Sequence, residues 1–112
     1  MARLVPTKIG QAGIAVSPGT LIYTAPTLIT TVVKCIDVAN TTASPITVSV
    51  HLVPSAGTAT TSNALFYTIS VPGNGQYQWT GTQILAAAGF IQAIAASTGL
   101  TINIAGGEYS AI

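Results

Sequence analysis

Turn-forming residues interrupt this chain every eight to twelve positions or so, and the segments between them are rich in Val, Ile and Thr. That spacing is the signature of a β-sandwich or small barrel. One segment states the pattern cleanly. Ile46-Thr47-Val48-Ser49-Val50-His51-Leu52-Val53 alternates apolar with polar, which sends Ile46, Val48, Val50 and Leu52 toward a core and Thr47, Ser49 and His51 toward solvent or a partner.

The remaining strands follow from the same reasoning. Residues 29–38 form a β-branched run that ends in the turn formers Asn40-Thr41-Thr42-Ala43-Ser44-Pro45, so the run is expected to pair antiparallel with 46–53 as a hairpin. Residues 54–62 read as a polar surface loop. A strand over 64–71 meets the turn Pro72-Gly73-Asn74-Gly75. A three-residue loop there sets Val71 opposite Tyr77 and Ile69 opposite Trp79, with glycine supplying positive φ. In residues 82–96, Ile84, Leu85, Ala88 and Ile91 also fit helical spacing. Gly89 interrupts that run, and Thr98-Gly99 separates 90–97 from the alternating Leu100-Thr101-Ile102-Asn103-Ile104, so strands joined as a hairpin are expected. The predicted fold is all-β: an antiparallel, jelly-roll-like β-sandwich of about seven or eight strands over residues 20–112. Residues 1–19 carry Pro and Gly at short intervals and offer Leu4, Val5, Ile9, Ile14 and Val16 for burial. They read as an extended N-terminal arm, lying either at an edge of this domain or across a neighbouring subunit.

At 112 residues and 11.3 kDa the chain has the size of one domain. Scaling with mass gives a folded surface of about 5,700 Å² against about 16,000 Å² unfolded, enough burial to fold without disulfides. The surface that remains is unusual. Charged residues are 4% of the chain, where soluble domains carry about 25%. They are Arg3, Lys8, Lys34, Asp37 and Glu108, for a net charge of +1. Copies of such a protein repel one another weakly, and charge depletion is the compositional mark of interface cores. Homo-oligomerisation, as dimer or trimer, is expected. Three scattered cations cannot build a nucleic-acid footprint. The most apolar stretch, 84–96, is broken by Gly89 and Gln92 and is too short for a membrane span. No signal-peptide run opens the sequence, and Cys35 has no partner for a disulfide, so synthesis in a cytoplasm is expected.

Catalytic chemistry has little to draw on, and no enzyme is expected. The candidate bases are His51, Asp37 and Glu108. His51 lies on the outward face beside Thr47 and Ser49 and reads as a surface or interface residue. Cys35 and Asp37, two apart, share a strand face with no cation to activate the thiol, and Cys35 reads as core filling. Cys35 and His51 together fall short of a zinc ligand set, and no cofactor is expected. Gly73-Asn74-Gly75 and Gly106-Gly107 lack the Lys-Ser/Thr of a phosphate loop. Asn40-Thr41-Thr42 has the glycosylation pattern but reads as a turn. Tyr23, Tyr67, Tyr77 and Trp79 would make a sugar platform if exposed together, although packing in the core is the simpler use for them.

From Tyr23 to Glu108 the order of pieces resembles a small β-sandwich family encoded among the virion genes of tailed bacteriophages. The resemblance runs through a β-branched strand entering Asn40-Thr41-Thr42-Ala43, then Ile46 to Pro54, Gly57 and Asn63-Ala64-Leu65. It continues through a Gly75-centred turn, Ile91-Gln92-Ala93-Ile94-Ala95, and Thr101-Ile102-Asn103-Ile104 before Gly106. It implies an accessory virion protein: a capsid decoration or cement subunit that binds the major capsid protein, or else a tail or fibre component. It transfers no site residues. A carbohydrate- or receptor-binding sandwich is the alternative from a different class. The expected contact residues are Arg3, Leu4, Val5, Ile9, Ile14 and Val16 of the arm, with Thr47, Ser49 and His51 on the alternating strand.

Overall fold

The computed structural model describes residues 3–110. Eight strands follow one another: β1 (Arg3–Gly13), β2 (Thr20–Thr24), β3 (Ile29–Asn40), β4 (Ile46–Val53), β5 (Ala64–Val71), β6 (Gln76–Leu85), β7 (Phe90–Ala95) and β8 (Leu100–Ser110). They form two antiparallel four-stranded sheets, the first ordered β1-β8-β3-β6 and the second β2-β7-β4-β5. The chain is an all-β sandwich, and within residues 82–96 β6 runs to Leu85 and β7 from Phe90 to Ala95, strand as expected, with a turn between them and no helix.

Connectivity departs from the sequence expectation. β3 and β4 do not pair, because they lie in opposite sheets, and the same holds for β5 and β6 and for β7 and β8. β4 and β5 are the consecutive strands that lie side by side. Short turns here act as arches over the sandwich edge. Asn40 fixes one of them: its Nδ2 donates to Ser44 O and Val71 O, and its Oδ1 accepts from the Thr42 backbone and hydroxyl. The side chain in the glycosylation pattern is therefore buried and fully used. In the 72–75 turn the positive φ falls on Asn74, at 54°, not on a glycine. Gly73 is required for space, since a Cβ there would run into the Ala43 carbonyl.

Val71, Ile69, Tyr77 and Trp79 do share one core, but they meet across the gap between sheets instead of along a ladder. Phe66 and Tyr77 touch edge to face with ring centroids 5.2 Å apart. Ile36, Val38, Ile102 and Ile104 from the first sheet face Val48, Val50, Ile91 and Ala93 from the second, all buried. β3 keeps its inward face only by a bulge. Its pairing with β8 skips Lys34, so Thr31 and Val33 point inward before it and Ile36 and Val38 after it. Cys35 is thereby turned to the outer face and does not fill the core.

Residues 3–13 are an edge strand of the first sheet, paired with β8 from Arg3 opposite Ser110 to Gly13 opposite Thr101. Of the two expectations for this segment, the edge strand is the one realised. Ile9 and Ile14 are buried in the protein's own core, which removes them from the expected contact set. The total surface is 5776 Å², matching the value expected from mass.

Candidate functional site

β4 sets up the most structured surface of the molecule. Its alternation holds, yet the outward residues Ser49 and His51 are buried, at 6% and 3% exposed. For His51 the reason lies in the next segment; Ser49 is instead held against the β5 bulge at Thr68. Residues 54–63 do not extend into solvent but fold back, closing with a short 3-10 turn at Thr61–Asn63. Their backbone and Asn63 cover the outer end of β4.

His51 Nδ1 lies 2.9 Å from Thr60 O and 3.0 Å from Asn63 Oδ1. Asn63 is oriented by its own bonds, because Oδ1 accepts the Thr60 N–H and Nδ2 donates to Thr58 O. Both neighbours of Nδ1 are acceptors, so Nδ1 is the nitrogen that carries a proton and, in the neutral ring, Nε2 is the one with a bare lone pair. Nε2 has no hydrogen-bond partner among the described residues, and the ring lines an open groove of about 470 Å³. Ser49 is placed alongside it. Its Oγ accepts the Thr68 N–H at 2.8 Å, which leaves its hydroxyl proton free to donate. Thr68 sits at φ 48°, where β5 slips register against β4.

The groove floor also includes Thr47 and Ile94, with Val16 and Tyr67 at its sides. Tyr67 is 53% exposed and meets His51 edge-on, with ring centroids 6.3 Å apart. A second basin of about 410 Å³ shares Ser17 and Ile94 with the first and continues past Pro18, Thr58 and Gln92. Together they make a trough across the outer face of the second sheet, lined by no Lys, Arg, Asp or Glu among the described residues.

Of the residues singled out from sequence, Val16, Thr47, Ser49 and His51 converge here. Val5 is exposed on β1, in the other sheet. The backbones of Arg3 and Leu4 pair with Ser110 and Tyr109, and their side chains lie outside the described residues. Thr68 and Ile94 were missed, and Tyr67 was considered only as one ring of a four-ring sugar platform, because nothing in the sequence said that β5 and β7 flank β4.

Two other polar clusters lie outside the trough. Cys35 Sγ lies 3.6 Å from both Asp37 Oδ2 and Gln78 Nε2 on the outer face of the first sheet, and no Lys or Arg among the described residues bonds to it. Tyr23 donates to Glu108 Oε2 at 2.6 Å and lies 2.8 Å from Thr31 Oγ1. This bond ties the second sheet to the first. Burial, then the Glu108 hydrogen bond, pushes the phenol up to about 12. The four rings considered for a sugar platform do not assemble: Tyr77, Trp79 and Tyr23 pack on the core, and Tyr67 stands apart from them. Among the described residues no three His, Cys, Asp or Glu side chains gather to hold a metal.

No protein-family model matches the sequence, and no curated protein matches it.

Proposed function

We propose that this protein is a structural, non-catalytic virion subunit of a tailed phage, a cement or decoration protein that self-associates and binds neighbouring capsid subunits. The observation that carries the reading is an almost ion-free sandwich whose apolar side chains cluster outside the core. Pro6, Gly107, Val32 and Ile84 form one row across all four strands of the first sheet. Tyr109 stands one row along, opposite Thr30, and Leu28 lies in the turn entering β3. Leu28 is 71% and Ile84 59% exposed. Contiguous exposed apolar surface of this kind marks interaction sites.

The strand order β1-β8-β3-β6 facing β2-β7-β4-β5 supports a jelly-roll reading of the sandwich, an architecture found among viral capsid and lectin domains. A standard contact of about 800 Å² per partner is a seventh of the 5776 Å² available, so one subunit has room for several neighbours. Many weak contacts on a lattice then add through avidity. Co-sedimentation with purified heads and purified tails tests the proposal. Saturable binding to heads is expected; binding to tails alone, or to neither, overturns it.

A further inference from the structure

We propose that the trough over β4 is a binding site for an uncharged, hydroxyl-rich ligand, a short saccharide chain, with His51 Nε2 and Ser49 Oγ gripping one of its hydroxyls. A hydroxyl both donates and accepts. The site offers the matching pair: an Nε2 lone pair held bare by the two carbonyl oxygens at Nδ1, and a Ser49 proton left over after Oγ has accepted from Thr68. The His51 side chain is almost wholly buried, so its position is fixed before a ligand arrives, and little ordering entropy remains to be lost on binding.

The rest of the lining selects the ligand class. With no Lys, Arg, Asp or Glu along either basin among the described residues, the trough offers little reward for a phosphate, sulfate or carboxylate. Hydroxyls of Thr47, Ser17 and Thr58 line the floor, and Tyr67 offers an exposed ring at the rim, suited to the apolar face of a pyranose. Each basin falls within the range of about 300–1,000 Å³ usual for small-ligand sites. Two contiguous basins favour an oligosaccharide over a single sugar.

The test uses the full chain and neutral mono- and trisaccharides of glucose, galactose, mannose and N-acetylglucosamine, read by NMR at the His51 ring nitrogens. A proton on Nδ1 and none on Nε2 is expected in the free protein. At least one trisaccharide is expected to move Nε2 saturably, more tightly than its monosaccharide, with a dissociation constant on the order of 1 mM. Tyr67→Ala, at an exposed position, weakens this roughly tenfold. Thr47→Trp, also exposed, fills the first basin and abolishes it while the amide spectrum stays folded. The proposal is overturned if no neutral saccharide shifts Nε2, if both variants bind as the parent does, or if only sulfated or phosphorylated sugars bind. Particle binding reads a different surface, so neither result decides the other.

Discussion

The Tyr23 hydroxyl crosses from the second sheet to the first, and one proton holds it there. Because that proton goes to Glu108, the Thr31 hydroxyl donates to the phenol oxygen. Deprotonation would set a phenolate against a carboxylate, with no Lys or Arg among the described residues bonded to either. The folded phenol titrates near 12, above its ordinary value of about 10, so the folded state binds the proton more tightly than the unfolded one. This contribution is intact below pH 10 and is lost as pH rises from 10 to 12. Spectrophotometric titration is expected to show one tyrosine ionising late, and Tyr23→Phe removes that late step. The same substitution is expected to cost about 1–2 kcal/mol in urea unfolding at pH 7; an unchanged midpoint would remove Tyr23 as an inter-sheet tie. At this scale the sequence was least informative. Tyr23 and Glu108 are 85 residues apart, and the outward position of His51 was correctly read while its burial was not.

Elements were legible one by one, and their partners were not. Alternation at Ile46–Val53 and Leu100–Ile104 survives intact, because side-chain direction is a property of the strand itself. The hairpins failed because a short loop can close a ladder or arch between sheets with the same residues. Asn40 and Gly73 make the arches specific. Asn40→Ala would leave the Ser44 and Val71 carbonyls without their side-chain donor, an expected loss of about 2–3 kcal/mol. Gly73→Ala is expected to cost about 1–3 kcal/mol by crowding Ala43, with thermal melting as the measure for both. If Gly73→Ala melts with the parent, the two arches do not abut as described. Edges also differ in kind. β1 carries Pro6, Lys8 and a register break, β2 has five residues, and β5 slips twice against β4. β6, ten residues from Gln76 to Leu85, also breaks register once, against β3, but it is long and has no Pro and no charge, which leaves it the least guarded against pairing with another chain. Self-association is expected to run through it, and Thr80→Lys should lower the association seen by light scattering without changing the melting point.

The whole molecule is an elongated body of 48 × 25 × 19 Å, with its apolar row near the end where β3 begins. Leu28→Asp combined with Ile84→Asp changes two exposed positions, so folding should be nearly unaffected while binding to heads falls at least tenfold. Association driven by apolar contact between nearly neutral partners should also persist from low to high sodium chloride, where screening would dissolve a charge-steered complex. Loss of particle binding in moderate salt would point to the five ionised residues instead. The sequence by itself determined the sparse charge and the all-β class, because turn spacing and strand alternation are local properties that each segment carries wherever it is placed. Which sheet each strand joins, the covering of β4 by residues 54–63 and the gathering of Val16, Ser49, His51 and Tyr67 around one trough were decided by tertiary structure. Those outcomes depend on contacts between distant segments, and a strand's own pattern says which face is apolar without saying what will lie against it.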